Sequence, residues 1–367
     1  MTTVGVLGGG QLGRMLALAG YPLGLRFRFL DPNPESPAGQ LAERVGERFD
    51  GPAALDRFAP GLSVATYEFE NLPLPLVRAL AERVPVSPPP AALEASQDRL
   101  TEKRLFQRLG LPTAPFAAVG TRDDLDRALQ EIGLPAVLKT RRFGYDGKGQ
   151  AVIRGPGDAA RAWDALGRVP LLLEGFVAFE RELSQVAARG RDGALAFYPL
   201  VENHHEHGTL SLTLAPAPDL GADLPEQAAD LTRRVLEELE YVGVLAIEFF
   251  QQGGRLIANE MAPRVHNSGH WTIEGARTSQ FENHLRAVLG WPLGEAAALG
   301  PCTMVNLIGT APEVGAVLAV PGAHLHLYGK SPRPGRKVGH VTIRSATVEQ
   351  LRERVEQVRA LLRPASV

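Results

Sequence analysis

Hydrophobic positions along the chain fall into short apolar runs separated by longer amphipathic stretches. The short runs, at residues 4–7, 26–30, 136–139, 170–177, 180–186, 242–250, 255–261, 304–308 and 324–328, together with one that ends before Glu68, predict strands. Stretches with a period near 3.6 at 91–109, 225–240, 280–289 and 348–362 predict helices. In 225–240 the apolar positions are Leu231, Val235, Leu236 and Leu239. Strand, glycine-rich turn and helix succeed one another at the start, so the first part predicts a Rossmann-like α/β domain. Pro88-Pro89-Pro90 closes it, because proline neither continues a helix nor donates to a central strand. A segment with its own strand and helix pattern begins at 111–115. The last helix reads as packing only, and the chain carries no internal repeat or low-complexity tail.

One polar residue breaks the pattern. Glu248 sits inside the apolar run 242–250, where a carboxylate is costly unless it is paired or bound to a metal. Gln252-Gly-Gly254 reads as a turn, and a three-residue loop would set position 248 opposite 258. Glu248 and Glu260 would then share a face, since side chains alternate with period two. Two facing carboxylates repel each other, and a divalent cation would neutralise both. Hard oxygen ligands without thiol or imidazole suit Mg2+, which keeps water and phosphate as its other ligands. A solvated hairpin edge is the alternative. The segment after Glu260 favours the metal: Ala-Pro-Arg264-Val-His266-Asn267-Ser-Gly-His-Trp-Thr272 has little periodicity and many anion-binding groups, as functional loops do.

Two glycine-rich turns add further anion sites. Gly8, Gly10 and Gly13 form G-x-G-x-x-G after the first strand, and Asp31 ends the next strand, where a dinucleotide ribose would be held. The same backbone would serve any phosphorylated small molecule at a helix N-terminus, so the ligand stays open. Glu68 and Glu70 follow a strand at its carboxyl end, where α/β ligands bind, or belong to a solvated loop. Farther on, Lys139 ends a strand and Gly144-Tyr145-Asp146-Gly147-Lys148-Gly149-Gln150 comes next, a loop able to fold its backbone over phosphates. Asp146-Gly147 alone would also suit a plain hairpin turn. Glu174 is a central acid in another apolar run. His204, His205 and His207 suggest zinc only weakly, because the run lacks thiolates and return ligands at the usual spacings. Residues 330–340 form a basic loop suited to a phosphate or carboxylate.

Composition narrows the classes. With 44% hydrophobic and 22% charged residues over 367 positions, the chain is ordinary for a soluble protein of more than one domain. A net charge of -2 gives no footprint for nucleic acid or an anionic membrane. No apolar run approaches the roughly 20 residues of a membrane helix. The single cysteine, Cys302, allows no intrachain disulfide, and the start runs into a strand without a basic leader, so a cytoplasmic location without signal peptide is expected. Of 39 basic residues only Lys103, Lys139, Lys148, Lys330 and Lys337 are lysines. Lysine offers a compact ammonium that arginine does not copy, although Lys103 and Lys337 would also suit solvated faces.

The glycine turn, Lys139 with its glycine loop, Glu174, Glu182, and Glu248 with Asn259-Glu260 together resemble the ATP-grasp ligases over essentially the whole chain. Residues 144–150 and 260–272, supported by 330–340, make it similar within them to the N5-carboxyaminoimidazole ribonucleotide synthetases. The resemblance implies an α/β fold, α+β in its C-terminal part: a Rossmann-like domain at 1–95, a small lid with connecting helix at 96–175, and a metal- and nucleotide-binding domain at 176–367. It also implies a homodimer. ATP phosphates would meet Arg99 and Lys139 under the lid Gly144 to Gln150. Glu174, Gly175, Phe176 and Val177 would present the hinge to adenine, Glu182 would bind the ribose, and His205, Asn259 and Glu260 would complete the nucleotide site. Glu248 and Glu260 would hold Mg2+.

The implied reaction joins bicarbonate to the amine of 5-aminoimidazole ribonucleotide through carboxyphosphate, converting ATP to ADP and phosphate. Arg264, His266 and Asn267 are assigned to bicarbonate, and Gln11, Tyr145, Asp146, Lys330 and Arg336 to the ribonucleotide. Phe143 stands where a second glycine is expected, so a stiffer lid is anticipated. Three rivals remain. A formate-dependent glycinamide ribonucleotide transformylase would share the metal pair and lid, an NAD-dependent dehydrogenase would use only the first turn, and a non-catalytic nucleotide-binding protein would need no turnover.

Overall fold

The computed structural model describes residues 1–144, 147–166 and 169–362. The chain opens with β1 (Thr3–Leu7), α1 (Gln11–Gly20), β2 (Arg26–Leu30), β3 (Glu43–Val45), α2 (Ala54–Phe58), β4 (Val64–Tyr67) and α3 (Leu74–Ala81). These strands are short and largely buried, as parallel strands covered by helices must be. They pair in parallel in the order β3-β2-β1-β4.

Two helices, α4 (Pro90–Ser96) and α5 (Arg99–Arg108), replace the single helix predicted over 91–109. The break falls at Asp98, whose extended backbone lets its side chain accept from Leu100 N at 3.0 Å and cap α5. Arg141 clasps the same carboxylate at 2.6 Å. Then β5 (Phe116–Val119), α6 (Arg122–Ile132), β6 (Ala136–Thr140), β7 (Gln150–Ile153), α7 (Pro156–Ala165) and β8 (Leu171–Gly175) make a small antiparallel sheet, in the order β5-β8-β6-β7. Helices α6 and α7 cover it around Leu125, Leu138 and Leu173.

The rest builds one large sheet. In chain order come β9 (Arg181–Arg189), β10 (Leu195–Phe197), β11 (Val201–Glu206), β12 (Thr209–Ala215), α8 (Leu224–Glu238), β13 (Gly243–Gln252) and β14 (Arg255–Ala262). After them come α9 (Thr272–Gly275), α10 (Gln280–Leu289), β15 (Cys302–Ile308), α11 (Val314–Leu318), β16 (Ala323–Leu327), β17 (Lys337–Arg344) and α12 (Val348–Leu362). The nine strands are antiparallel, in the order β14-β13-β9-β11-β12-β15-β17-β16 with β10 beside β9. The predicted basic loop is therefore half strand: β17 begins at Lys337 because Val338, Val341 and Ile343 enter the core under α12.

Both faces of β13 are buried. Leu245, Ile247 and Phe249 pack with α8, whose Leu231, Val235 and Leu236 point inward as the periodicity requires. Val244 and Ala246 join α10 and residues of the N-terminal sheet, so Phe27, Leu16 and Leu285 share one core. His284 fastens this junction. Its Nδ1 accepts from Val244 N at 3.1 Å, which leaves the proton on Nε2, 2.7 Å from Thr66 Oγ1 on β4. Among the described residues no helix is long and apolar enough to cross a membrane.

Candidate active site

The hairpin β13–β14 departs from the expected register. Its turn has two residues, Gly253 and Gly254, at φ 55° and 73°, rather than three. Pairing runs from Gln252 opposite Arg255 to Phe249 opposite Ala258, which by itself would set Glu248 against Asn259. A β-bulge absorbs one residue here and pairs Glu248 directly with Glu260. The two carboxylates share a face as predicted, but through a bulge that alternation alone cannot reveal.

These carboxylates differ in charge environment. Burial, and then the facing Glu260, raises the pKa of Glu248. Burial acts the same way on Glu260, but Arg99 outweighs it: Arg99 Nη1 lies 2.8 Å from Glu260 Oε2 and holds that carboxyl low. His266 Nε2 stands 3.5 Å from Glu248 Oε1. Burial first, and then the Arg264 and Lys337 charges, lowers His266 to about 3, so the ring is neutral. The oxygen-only pair, with the buried Asn259 Oδ1 at the bulge unpartnered among the described residues, fits Mg2+. Among the described residues no group of three or more His, Cys, Asp or Glu forms a metal cage, so further ligands would be water or phosphate.

The pair opens into a cavity of about 1320 Å³ between the three sheets. At one end Lys139 Nζ donates to Glu174 Oε2 at 3.0 Å, and Lys103 Nζ lies 3.6 Å from the same oxygen. Burial pushes the Glu174 pKa up, but Lys139 and Lys103 outweigh it and hold it low. Glu174 Oε1 is buried without a partner among the described residues. The hinge is partly used already, since Gly175 N and Phe176 N donate to the carbonyls of Pro115 and Pro135 at 2.8 and 3.1 Å. Val137, Val152, Met261 and Phe250 supply apolar walls, and Phe250 stacks on Phe179 at 4.6 Å. His205 Nδ1 lies 2.6 Å from Glu182 Oε2. Burial disfavours the charged imidazole, yet Glu182 and Glu248 raise its pKa.

At the other end, Arg264 forks onto Glu70 at 2.5 and 3.1 Å. Both amide atoms of Asn267 are buried and find no partner among the described residues. Lys330 Nζ donates to Gln11 Oε1 and sits 5.8 Å from the Tyr328 ring centroid. Burial lowers its pKa to about 8. The first glycine turn is occupied from within: Glu68 accepts from Gly10 N and, at 2.7 Å, from Gly13 N, while Asp31 accepts from Gly9 N at 2.6 Å. Neither the ribose acid nor the amide nest of a dinucleotide site is free, which removes the basis of the dehydrogenase reading.

Every described residue assigned from sequence lines this cavity except Gly149, and Tyr145 and Asp146 lie outside the described residues. Glu68 and Glu70, read from sequence as following a strand where ligands bind or as a solvated loop, line it too, and the structure adds Glu102, Phe143 and Lys337. What the sequence could not supply for Glu70 is its partner, because Arg264 is 194 positions away. Lys103, which suited a solvated face by sequence, is 2% exposed.

A lid sheet bearing a lysine–carboxylate pair, set against a large sheet bearing two facing acids across a nucleotide-sized cavity, defines an ATP-grasp ligase. A family model for an ATP-grasp domain matches residues 104–281, one for a ribonucleotide synthetase preATP-grasp domain matches 1–97, and one for a phosphoribosylaminoimidazole carboxylase C-terminal domain matches 302–354. The N5-carboxyaminoimidazole ribonucleotide synthase of Pseudomonas aeruginosa is 53% identical over 98% of this chain and 99% of its own. The crystal structure of the corresponding synthetase from Thermus thermophilus superposes with a TM-score of 0.95 at 57% identity, covering 99% of each chain. That of the Aspergillus clavatus synthase, in complex with ADP and 5-aminoimidazole ribonucleotide, gives 0.92 at 30% identity over 98% of each. The chain belongs to the N5-carboxyaminoimidazole ribonucleotide synthetase family.

Proposed function

We propose that the chain carboxylates 5-aminoimidazole ribonucleotide with bicarbonate and ATP, giving N5-carboxyaminoimidazole ribonucleotide, ADP and phosphate in purine biosynthesis. One observation carries the reading: a single cavity joins the Lys139–Glu174 pocket, the facing Glu248 and Glu260, the Arg264–Asn267 loop and the Lys330–Arg336 arm. Family membership supplies the substrates.

Bicarbonate is a poor electrophile with a poor leaving group. A bicarbonate oxygen attacks the γ-phosphorus, the bond to ADP breaks, and carboxyphosphate forms. The exocyclic amine then bonds to the carboxyl carbon, phosphate leaves with the oxygen that joined them, and the amine loses a proton. Lys139 and Arg99 bind and orient phosphate charge, which catalysis of phosphoryl transfer chiefly requires. Adenine lies between the apolar walls, where Glu174 Oε1, unpartnered among the described residues, would accept from its exocyclic amine. Asn267 offers one donor and one acceptor to bicarbonate, matching its carbonyl oxygen and hydroxyl, and Arg264 meets its charge. Gln11, Lys330 and Arg336 hold the ribonucleotide, with Tyr145 and Asp146 assigned to the same role. Mg2+ held by Glu248 and Glu260 would supply charge neutralisation at the phosphates. A homodimer and a cytoplasmic location complete the proposal, the first checked by sedimentation equilibrium.

The test is ADP release from Mg-ATP. Release that requires 5-aminoimidazole ribonucleotide and rises when bicarbonate is restored to a degassed buffer is the expected result. Release indifferent to the ribonucleotide, or equal release with glycinamide ribonucleotide and formate, would overturn the reading.

A further inference from the structure

The strand that carries Glu260 lies at the free edge of the large sheet, so its outward-facing N–H and C=O groups must be met from elsewhere. They are met in a pattern that records the bulge. Leu256 N donates to Gln227 Oε1 at 2.9 Å, and Ala258 N donates to Pro112 O at 2.7 Å. Continued regularly, the next outward amide would be that of Glu260. It is instead Met261 N, which donates to Glu102 Oε1 at 2.7 Å, because the bulge has inserted one residue. On the near side of the bulge, Lys103 Nζ donates to Ala258 O at 3.2 Å. Consecutive residues of α5 thus grip the strand immediately before and after Asn259-Glu260.

Both grips are buried, Glu102 and Lys103 each being 2% exposed. Apolar side chains would pack such a helix face at lower desolvation cost. Charged groups here make sense as devices of register. Without the bulge Asn259 would face Glu248, and Glu260 would turn to the opposite face of the sheet. We propose that Glu102, with Lys103, is a positioning residue that locks the bulge and so holds Glu248 and Glu260 on one face in the spacing that binds the divalent ion. Glu102 does this through its acceptor oxygen and its reach; its charge is not required.

The inference rests on the reading of Glu248 and Glu260 as the metal pair. Mn2+ binding measured by electron paramagnetic resonance in the presence of ADP, without turnover, separates the two. In E102Q the amide oxygen still reaches Met261 N, and the Mn2+ dissociation constant stays near that of the unaltered chain. In E102D the carboxylate is one methylene short, and the constant rises by about tenfold or more, the usual effect of losing a group that orients metal ligands. ADP affinity in EDTA serves as the control for folding and stays constant in both variants. An E102D chain that binds Mn2+ as tightly as the unaltered one overturns the proposal, and so does an E102Q chain as defective as E102D, which would make Glu102 itself a ligand. If the unaltered chain with ADP shows no Mn2+ site, the metal reading fails first. Amide hydrogen exchange of the unaltered chain adds a check that needs no variant: Met261 N–H is expected among the slowly exchanging amides, and exchange at loop rates counts against the lock.

Discussion

Arg336 offers a direct test of the division of labour within the cavity. It lines the cavity from the arm that carries Lys330, and its Nη1 donates to Ser331 O at 3.1 Å. Arg336→Ala is expected to raise the KM for 5-aminoimidazole ribonucleotide by about tenfold or more, roughly 1.4 kcal/mol, while leaving that for ATP nearly unchanged. Equal rises in both, measured by steady-state kinetics, would remove Arg336 from the ribonucleotide site. Single residues were legible in the sequence where their surroundings contradicted them. Glu248 in an apolar run and Lys139 at a strand end announce themselves by the cost of burial. Glu102 and Lys103 do not, since an acid and a lysine within an amphipathic helix look like a solvated face. Their burial follows from α5 packing on a strand about 155 positions later, which no local pattern contains.

Among the elements, the glycine turn of the β13–β14 hairpin is open to a clean measurement. Gly254 adopts φ 73°, and an added Cβ would meet nothing within 4 Å, so a substitution there acts through backbone conformation alone. Gly254→Ala is expected to destabilise the fold by about 1–2 kcal/mol, seen as a lower urea midpoint with an unchanged slope. An unchanged midpoint would show that the left-handed turn carries no such cost. Strand and helix positions at this scale came largely from periodicity: 280–289 and 348–362 return as α10 and α12 with their apolar faces inward. Breaks and registers did not. Asp98 splits the predicted helix because its side chain caps the next one, and the Asn259 bulge resets the metal strand, yet neither changes the count of apolar positions.

Taken as one body, the molecule buries imidazoles that must stay neutral. Burial lowers His266 and His284 to about 3, and lowers His270 and His340 well below the ordinary histidine value. A group with a depressed folded pKa takes up its proton only on unfolding. The stability it contributes is present above about 6.5 and is lost as pH falls from there toward 3. Each such imidazole is worth about 1.4 kcal/mol per pH unit in that window. Burial raises the pKa values of Glu68, Glu102 and Glu248, Glu102 to about 8, and these act with the opposite sign, losing stability as pH rises from about 4.5. Four imidazoles against three carboxyls leave a net loss on acidification. Urea midpoints are therefore expected to fall between pH 6.5 and pH 5, and a flat or rising profile would contradict the burial of these rings as neutral groups.

The occupied turn at Gly8 to Gly13 bears on how genomes are sorted. Glu68 and Asp31 answer the amides that the glycine spacing exposes, so the motif closes upon the protein's own carboxylates. A survey that assigns cofactors by glycine spacing would file this chain with the nicotinamide enzymes. A single additional criterion, an acid at the first position past each strand that flanks the glycine strand, would flag such self-satisfied turns before any cofactor is assigned.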